Sequence, residues 1–214
     1  MKHITKGHEP HSLSQHRKQP NSNYDNYAAK GDLRDALLAE QGGICCYCMQ
    51  RITAENMKIE HWACRHNHPE KQLDYQNLLA ACDGGEGAAK HLQHCDTHKG
   101  HDDIKIHPAD PDHNCETFIK YQADGVMYSD DAQINGDLDK VLNLNLQRMC
   151  ENRKAVWDGA LASLRKRRPD GDWTRAFLNG ERNRWSSRDH AGQFREYCQI
   201  VNYQLDKKIV RAAK

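Results

Sequence analysis

The spacing of its cysteines constrains this chain more than any other feature. The stretch GGICCYCMQRI, residues 42–52, puts two residues between Cys45 and Cys48. At that separation both thiolates of one turn can face a single metal ion. Zinc held by four thiolates needs a second pair from another segment, and Cys82 and Cys95 can supply it by closing the chain back onto the first. Thioredoxin-like redox sites share the CxxC spacing, but no helical pattern follows Cys48 in the thioredoxin manner. The long spacer DGGEGAAKHLQH between Cys82 and Cys95 leaves His91 or His94 open as a replacement for one thiol. Cys46 is out of phase with its neighbours for the same ion. It reads as a small core residue, as do Cys64, Cys115, Cys150 and Cys198.

No signal-peptide pattern opens the chain and no run of about 18 apolar residues interrupts it, so a cytoplasmic protein without a membrane span is expected. Nine cysteines in that setting read as thiols and metal ligands, not as a disulfide framework. The net charge of +1 conceals an asymmetry: residues 1–30 sum to +3, residues 31–147 to −10 and residues 148–214 to +8. An acidic, histidine-rich middle points to metal chemistry, and a basic last third to phosphate. For any single run such as RKRR at 165–168, the alternative is a solvated helix end.

The local patterns predict an α+β chain in three parts. Residues 1–30 are polar, rich in Pro, Ser and Asn, and without apolar periodicity, so an extended arm lacking regular structure is expected there. Residues 31–113 form the metal-bearing core. Asp32 stands as an N-cap for LRDALLAEQ, with Leu33, Ala36, Leu37 and Glu40 at helical spacing and Gly42–Gly43 as the stop. ICCYCMQRI and NMKIEHW then read as a β-hairpin over 44–60, with the CxxC on its first strand and Trp62 packing beneath it. Residues 64–115 lack periodicity, so a bound ion is the expected organiser. In 114–214 a second hairpin turns at Asp124–Gly125. A long helix then carries Leu138, Leu142, Leu146, Met149, Arg153, Val156, Leu161 and Leu164 to a break at Pro169–Gly171, and a last helix runs from about Ser187.

Inside the loop that a zinc would close lie IEHW (59–62), DYQNLL (74–79) and HCDTHKG (94–100). With LRDALLAEQGGICCYC before them and LNLNLQRMCENR after, these motifs resemble the HNH endonucleases with a ββα-metal core braced by a four-cysteine zinc. In particular they resemble the HNH nuclease subunit of the Septu and retron-associated antiphage systems. The likeness runs from about Lys2 to Arg153, and its specific motifs lie between residues 33 and 100.

The resemblance implies hydrolysis of phosphodiester bonds in DNA or RNA. It makes His61 the general base and Glu60 and Asp96 the protein ligands of a catalytic Mg²⁺ or Mn²⁺. Asn77 would pin the loop that positions His61, and Lys99 would contact the scissile or an adjacent phosphate. Cys45, Cys48, Cys82 and Cys95 would hold a structural Zn²⁺. His98 and His101 stand nearby as a third ligand, a phosphate contact or chance neighbours, and His66 and His68 read as surface residues. The implied partner is an ABC- or SMC-like ATPase that restrains the nuclease, alongside a retron reverse transcriptase and its RNA where a retron is present. Two departures from the family are the long Cys82–Cys95 spacer, where many relatives have CxxC, and Glu and Asp at 60 and 96, where relatives often have Asp and Asn or His. A zinc-braced binding module without turnover would account for the cysteines and the basic tail, but not for Glu60, His61 and Asp96 together.

Overall fold

Two consecutive glycines decide where the first long helix ends. Helix α2, Lys30–Gln41, stops as Gly42 and Gly43 take the left-handed conformation (φ 60° and 66°), which costs little without a Cβ. The N-cap position falls on Ala29, so Asp32 lies in the first turn, where its charge still favours the positive end of the helix. Residues 1–212 are described by the computed structural model, an α+β fold that is mostly helical with two small sheets.

After α2 the chain makes a knuckle closed by an isolated bridge between Ile44 and Arg51, with Cys45 and Cys48 inside it. The expected hairpin over 44–60 does not form. Instead β1, Met57–His61, pairs antiparallel with β2, Leu78–Cys82, in a register that sets Met57 opposite Cys82 and His61 opposite Leu78. Every residue of LLAAC in β2 is buried, and β1 covers it with Met57, Glu60 and His61 buried and Lys58 and Ile59 partly exposed. The free edge of β2 is closed by Gln41, whose amide donates to Ala80 O (2.8 Å) and accepts from Ala80 N (2.7 Å). A short helix α3, Cys95–Lys99, follows β2 and packs against it.

The first 30 residues are not an irregular arm. They contain helix α1, His11–Arg17, and bury Met1, Ile4, Leu13 and Tyr27 in the main core. Their anchors are mostly polar and distant in sequence: Ile4 N on Pro108 O, Lys6 Nζ on Leu78 O and Glu40, and Arg17 on Leu73 O. Such contacts leave no periodic trace, which is why local pattern reading misses them.

Strands β3, Lys120–Tyr121, and β4, Met127–Tyr128, form the expected second hairpin. The single long helix expected from Leu138 is divided. Helix α4, Ala132–Gly136, runs into a π-helical turn at Asp137–Val141, and α5 spans Gln147–Arg167. The asparagines of LNLN cause the break: Asn143 takes φ +50°, and the Asn145 amide pairs with both the N–H and the C=O of Met127 at 2.9 Å, extending the β4 ladder. Helix α6, Arg175–Ser186, packs on α7, Cys198–Ala212. The last helix therefore begins well after Ser187. The intervening loop does other work, with Arg188 donating to Ala39 O and Glu40 O at the carbonyl end of α2. Among the described residues no helix is long and apolar enough to cross a membrane.

Candidate metal centre and carboxylate–histidine site

Four sulfurs converge where the knuckle, the end of β2 and the start of α3 meet. Cys45, Cys48, Cys82 and Cys95 are all buried, and their Sγ atoms lie within 4.8 Å of one another. Two of the separations are 3.9 Å (Cys45–Cys95) and 3.8 Å (Cys48–Cys82). A tetrahedron with metal–sulfur bonds of about 2.3 Å has edges of about 3.8 Å, whereas a disulfide is about 2.05 Å. These four cysteines could hold a structural metal such as zinc. His94 is buried beside them with Nδ1 3.2 Å from Cys95 Sγ and 3.9 Å from Cys82 Sγ, a neighbour of the thiols and not a replacement for one; His91 is exposed. The long spacer between Cys82 and Cys95 is accommodated by Gly84 (φ +63°), where a Cβ would lie 2.3 Å from His94 O. Cys46 stays out of the cluster as expected, and burial pushes its thiol well above the usual range. Burial raises Cys115 to about 12 and Cys198 to about 11, so both remain inert thiols.

The same knuckle reaches a second group of side chains. Tyr47, between Cys45 and Cys48, donates its hydroxyl to Glu60 Oε1 at 2.7 Å, so whatever holds the four thiols also holds this carboxyl group. Glu60 is 2% exposed on β1, and Lys99 Nζ is 3.0 Å from the same oxygen. Burial, and then the neighbouring Asp96 carboxyl, push Glu60 well above the ordinary carboxylate range against the pull of Lys99 and Tyr47. Lys99 thus brings its positive charge to the Glu60 carboxyl, beside which Asp96 lies.

The expectation that Lys99 meets a phosphate is corrected. The residue is 1% exposed, with its ammonium on Glu60 and on His61 O at 3.3 Å. The physical reason is helical phase: Cys95 and Lys99 are four apart and share a face of α3, so the turn that carries Cys95 to the other thiols carries Lys99 inward too.

His61 ends β1 beside Glu60. Its Nε2 is 3.1 Å from Gln72 O, a group that can only accept, so Nε2 carries the hydrogen and the neutral ring keeps its lone pair on Nδ1. Burial lowers the imidazole to about 4, which leaves it neutral near pH 7. Tyr24 packs edge-on against the ring at 4.5 Å and 85°. Asn77, 4% exposed, ties down the loop after His61: Oδ1 accepts from Ala63 N (2.7 Å), and Nδ2 donates to Ala63 O (3.0 Å) and Lys71 O (3.2 Å). Trp62 is half-buried, donating to Ile106 O and packing edge-on against His107.

The two other histidines expected near the site are engaged elsewhere. His98 Nδ1 is 2.9 Å from Val141 O, and His101 Nδ1 is 3.2 Å from Cys64 Sγ while its ring stacks on His66. The structure therefore brings Glu60, His61, Asp96 and Asn77 together, with the four cysteines behind them. It adds Tyr47 and Tyr24, which the sequence reading missed. Tyr47 had a local signal in its place inside the CxxC; Tyr24 had none. No protein-family model and no curated protein sequence matches the chain.

Proposed function

We propose that this chain is a metal-dependent endonuclease of the HNH type. The observation that carries the reading is His61: a buried, neutral imidazole with Nε2 committed to Gln72 O and Nδ1 free to accept a proton, next to the Glu60–Asp96 carboxyl pair. In this reading Nδ1 takes the proton of a water that attacks phosphorus in line, the bond to the 3′ oxygen breaks, and the product carries a 5′ phosphate. The donor set fits a hard divalent cation: two carboxyl groups side by side, one of them deeply buried and paired with Lys99. Mg²⁺ or Mn²⁺ held by Glu60 and Asp96 would supply charge stabilisation for the phosphate and the departing oxygen. Asn77 fixes the loop after His61, Tyr47 and Lys99 hold Glu60, and zinc on the four cysteines braces β2 and α3 beneath them.

The motif likeness to the Septu and retron-associated subunits supports a wider reading. The nuclease would act in the cytoplasm as the effector of an antiphage complex, restrained by an ABC- or SMC-like ATPase, with a retron reverse transcriptase and its RNA as further components where they occur. The test is cleavage of supercoiled plasmid and of total transfer RNA with and without Mg²⁺ or Mn²⁺, beside a His61→Ala protein. Metal-dependent cutting that vanishes in the variant is expected, and the substrate that disappears identifies DNA or RNA. Wild-type cutting by His61→Ala would refute the assignment. The Lys99–Glu60 ion pair favours one second reading, a zinc-braced nucleic-acid-binding subunit without turnover, because it already neutralises part of the carboxyl pair. That reading predicts binding without cutting even when the ATPase is present.

A further inference from the structure

Residues 148–214 carry a net charge of +8 and supply none of the residues of the site around His61. Part of that charge stands on aromatic rings. Lys208 Nζ, on α7, lies 5.9 Å from the ring centre of Trp157 on α5 and 5.0 Å from that of Trp173, on the loop between α5 and α6. Trp173 donates its indole N–H to Arg168 O at 3.3 Å, and the guanidinium groups of Arg167 and Arg168 lie 5.4 Å and 5.5 Å from the ring centre of Phe177. Cations and half-buried rings therefore alternate along one continuous stretch from Lys208 to Phe177.

Arg167 carries this stretch into a cavity of about 460 Å³ between α5, α6 and α7. Gly159 and Ala160 face it from α5 with little bulk, and a Cβ at Gly159 would meet nothing within 4 Å. Leu164, Val201 and Leu205 give the cavity a buried apolar lining, and half-buried Trp185 gives it an aromatic one. Glu181 is the single acid among the lining residues, and it is paired with both Arg167 and Arg184. Arg195, the third arginine of the lining, stands over the Trp185 ring at 5.3 Å. Arg168, Arg195 and Lys208 make no ion pair among the described residues, and the exposed Asp170 and Asp172 of the nearby loop pair with none of them.

Unpaired cations beside half-buried rings and an apolar cavity suit a ligand that carries both negative charge and flat apolar faces. An unpaired nucleic-acid strand offers both along its length, phosphates for the cations and unstacked bases for the rings, whereas a duplex keeps its bases stacked on one another. An acidic protein segment would answer the charge and leave the rings without a role. We infer that this end of the helical region, from Lys208 and Trp173 through Phe177 to the cavity beside Trp185, binds a single strand of nucleic acid, with Arg168, Arg195 and Lys208 on its phosphates and a base in the cavity. This rests on the nuclease reading for the identity of the ligand and adds the form in which it is bound.

Binding is measured by fluorescence anisotropy in a His61→Ala background, with a labelled single-stranded DNA, the RNA of the same sequence and the DNA duplex, across a salt series. Arg168→Gln combined with Arg195→Gln removes two exposed cations that have no ion pair to lose. It should flatten the plot of log affinity against log salt on a single strand by about 1.4, two phosphate contacts at about 0.7 each. Trp185→Leu keeps an apolar wall without the ring and should weaken single-strand binding about fivefold or more, the loss of one base stack, while leaving duplex binding unchanged. Unchanged thermal melting and zinc content establish that the variants fold; should Trp185→Leu melt early, the two exposed arginine substitutions carry the test. A parent that binds neither single strand, a salt slope unmoved by the arginine substitutions, or equal losses on single strand and duplex would overturn the inference. So would a labelled peptide of alternating Glu and Leu that binds where the oligonucleotides do not. The nuclease reading is judged separately by metal-dependent cutting with His61 intact, so either can fail without the other.

Discussion

Asn77→Asp is the sharpest test of how the loop after His61 is held, because it changes one atom and almost no volume. The wild-type amide donates from Nδ2 to Ala63 O at 3.0 Å and Lys71 O at 3.2 Å, and Oδ1 accepts from Ala63 N at 2.7 Å. In the variant the Ala63 N–H bond survives, but an oxygen replaces the donor and faces two carbonyl oxygens at a site only 4% exposed. Two lost donor bonds contribute about 1 kcal/mol each, and burying a carboxylate against two acceptors adds a further penalty, for a total of about 3–5 kcal/mol at neutral pH. Asn77→Ala loses all three bonds and leaves the Ala63 N–H unpaired but buries no charge, so about 2–4 kcal/mol is expected. The aspartate should therefore be the worse of the two despite its closer shape. Urea unfolding followed by tryptophan fluorescence at fixed zinc gives both values, and Trp62 lies in the affected loop. An Asn77→Asp protein within about 0.5 kcal/mol of wild type, the range of an ordinary surface change, would refute the pinning argument.

Two further outcomes are expected. Atomic absorption should find one zinc per chain. Cys48→Ser should lose it together with the fold of the knuckle, because such a site contributes about 10 kcal/mol or more to folding; a Cys48→Ser protein that is metal-free yet melts like wild type would remove the structural role. Burial holds His107 at about 4 against an ordinary 6.5, so the unfolded chain binds the proton first as pH falls and stability is lost from about pH 6.5 down towards 4. The full loss attributable to this group is about 3 kcal/mol. Since His107 Nδ1 accepts from Ala109 N, His107→Asn keeps an acceptor there, and its stability relative to wild type should rise over that window; parallel pH curves would count against the assignment.

What the sequence determined by itself was the set of chemical groups and the local stops. Ligand number and spacing are properties of residue type, so Cys45, Cys48, Cys82 and Cys95 could be named before any geometry, and their convergence agrees with a metal of tetrahedral sulfur preference. Asn77 was named only through the motif resemblance; its amide donors meet Ala63 O and Lys71 O on the loop after His61. Gly42–Gly43 ended α2 through backbone freedom alone. Tertiary structure decided the rest. Which strand pairs with β1 was decided by the tertiary fold: LLAAC lies beside it, while the nearer ICCYC is folded into the knuckle closed by Ile44 and Arg51. Lys99 had the composition of a phosphate ligand, but the phase of a five-residue helix tied to the thiol cluster turned it onto Glu60. The polar N-terminus carried no periodicity, yet its groups find carbonyls and carboxylates far along the chain and bring Tyr24 to the histidine. Hydrogen bonds between groups distant in sequence leave no local pattern, so only the folded chain could reveal them.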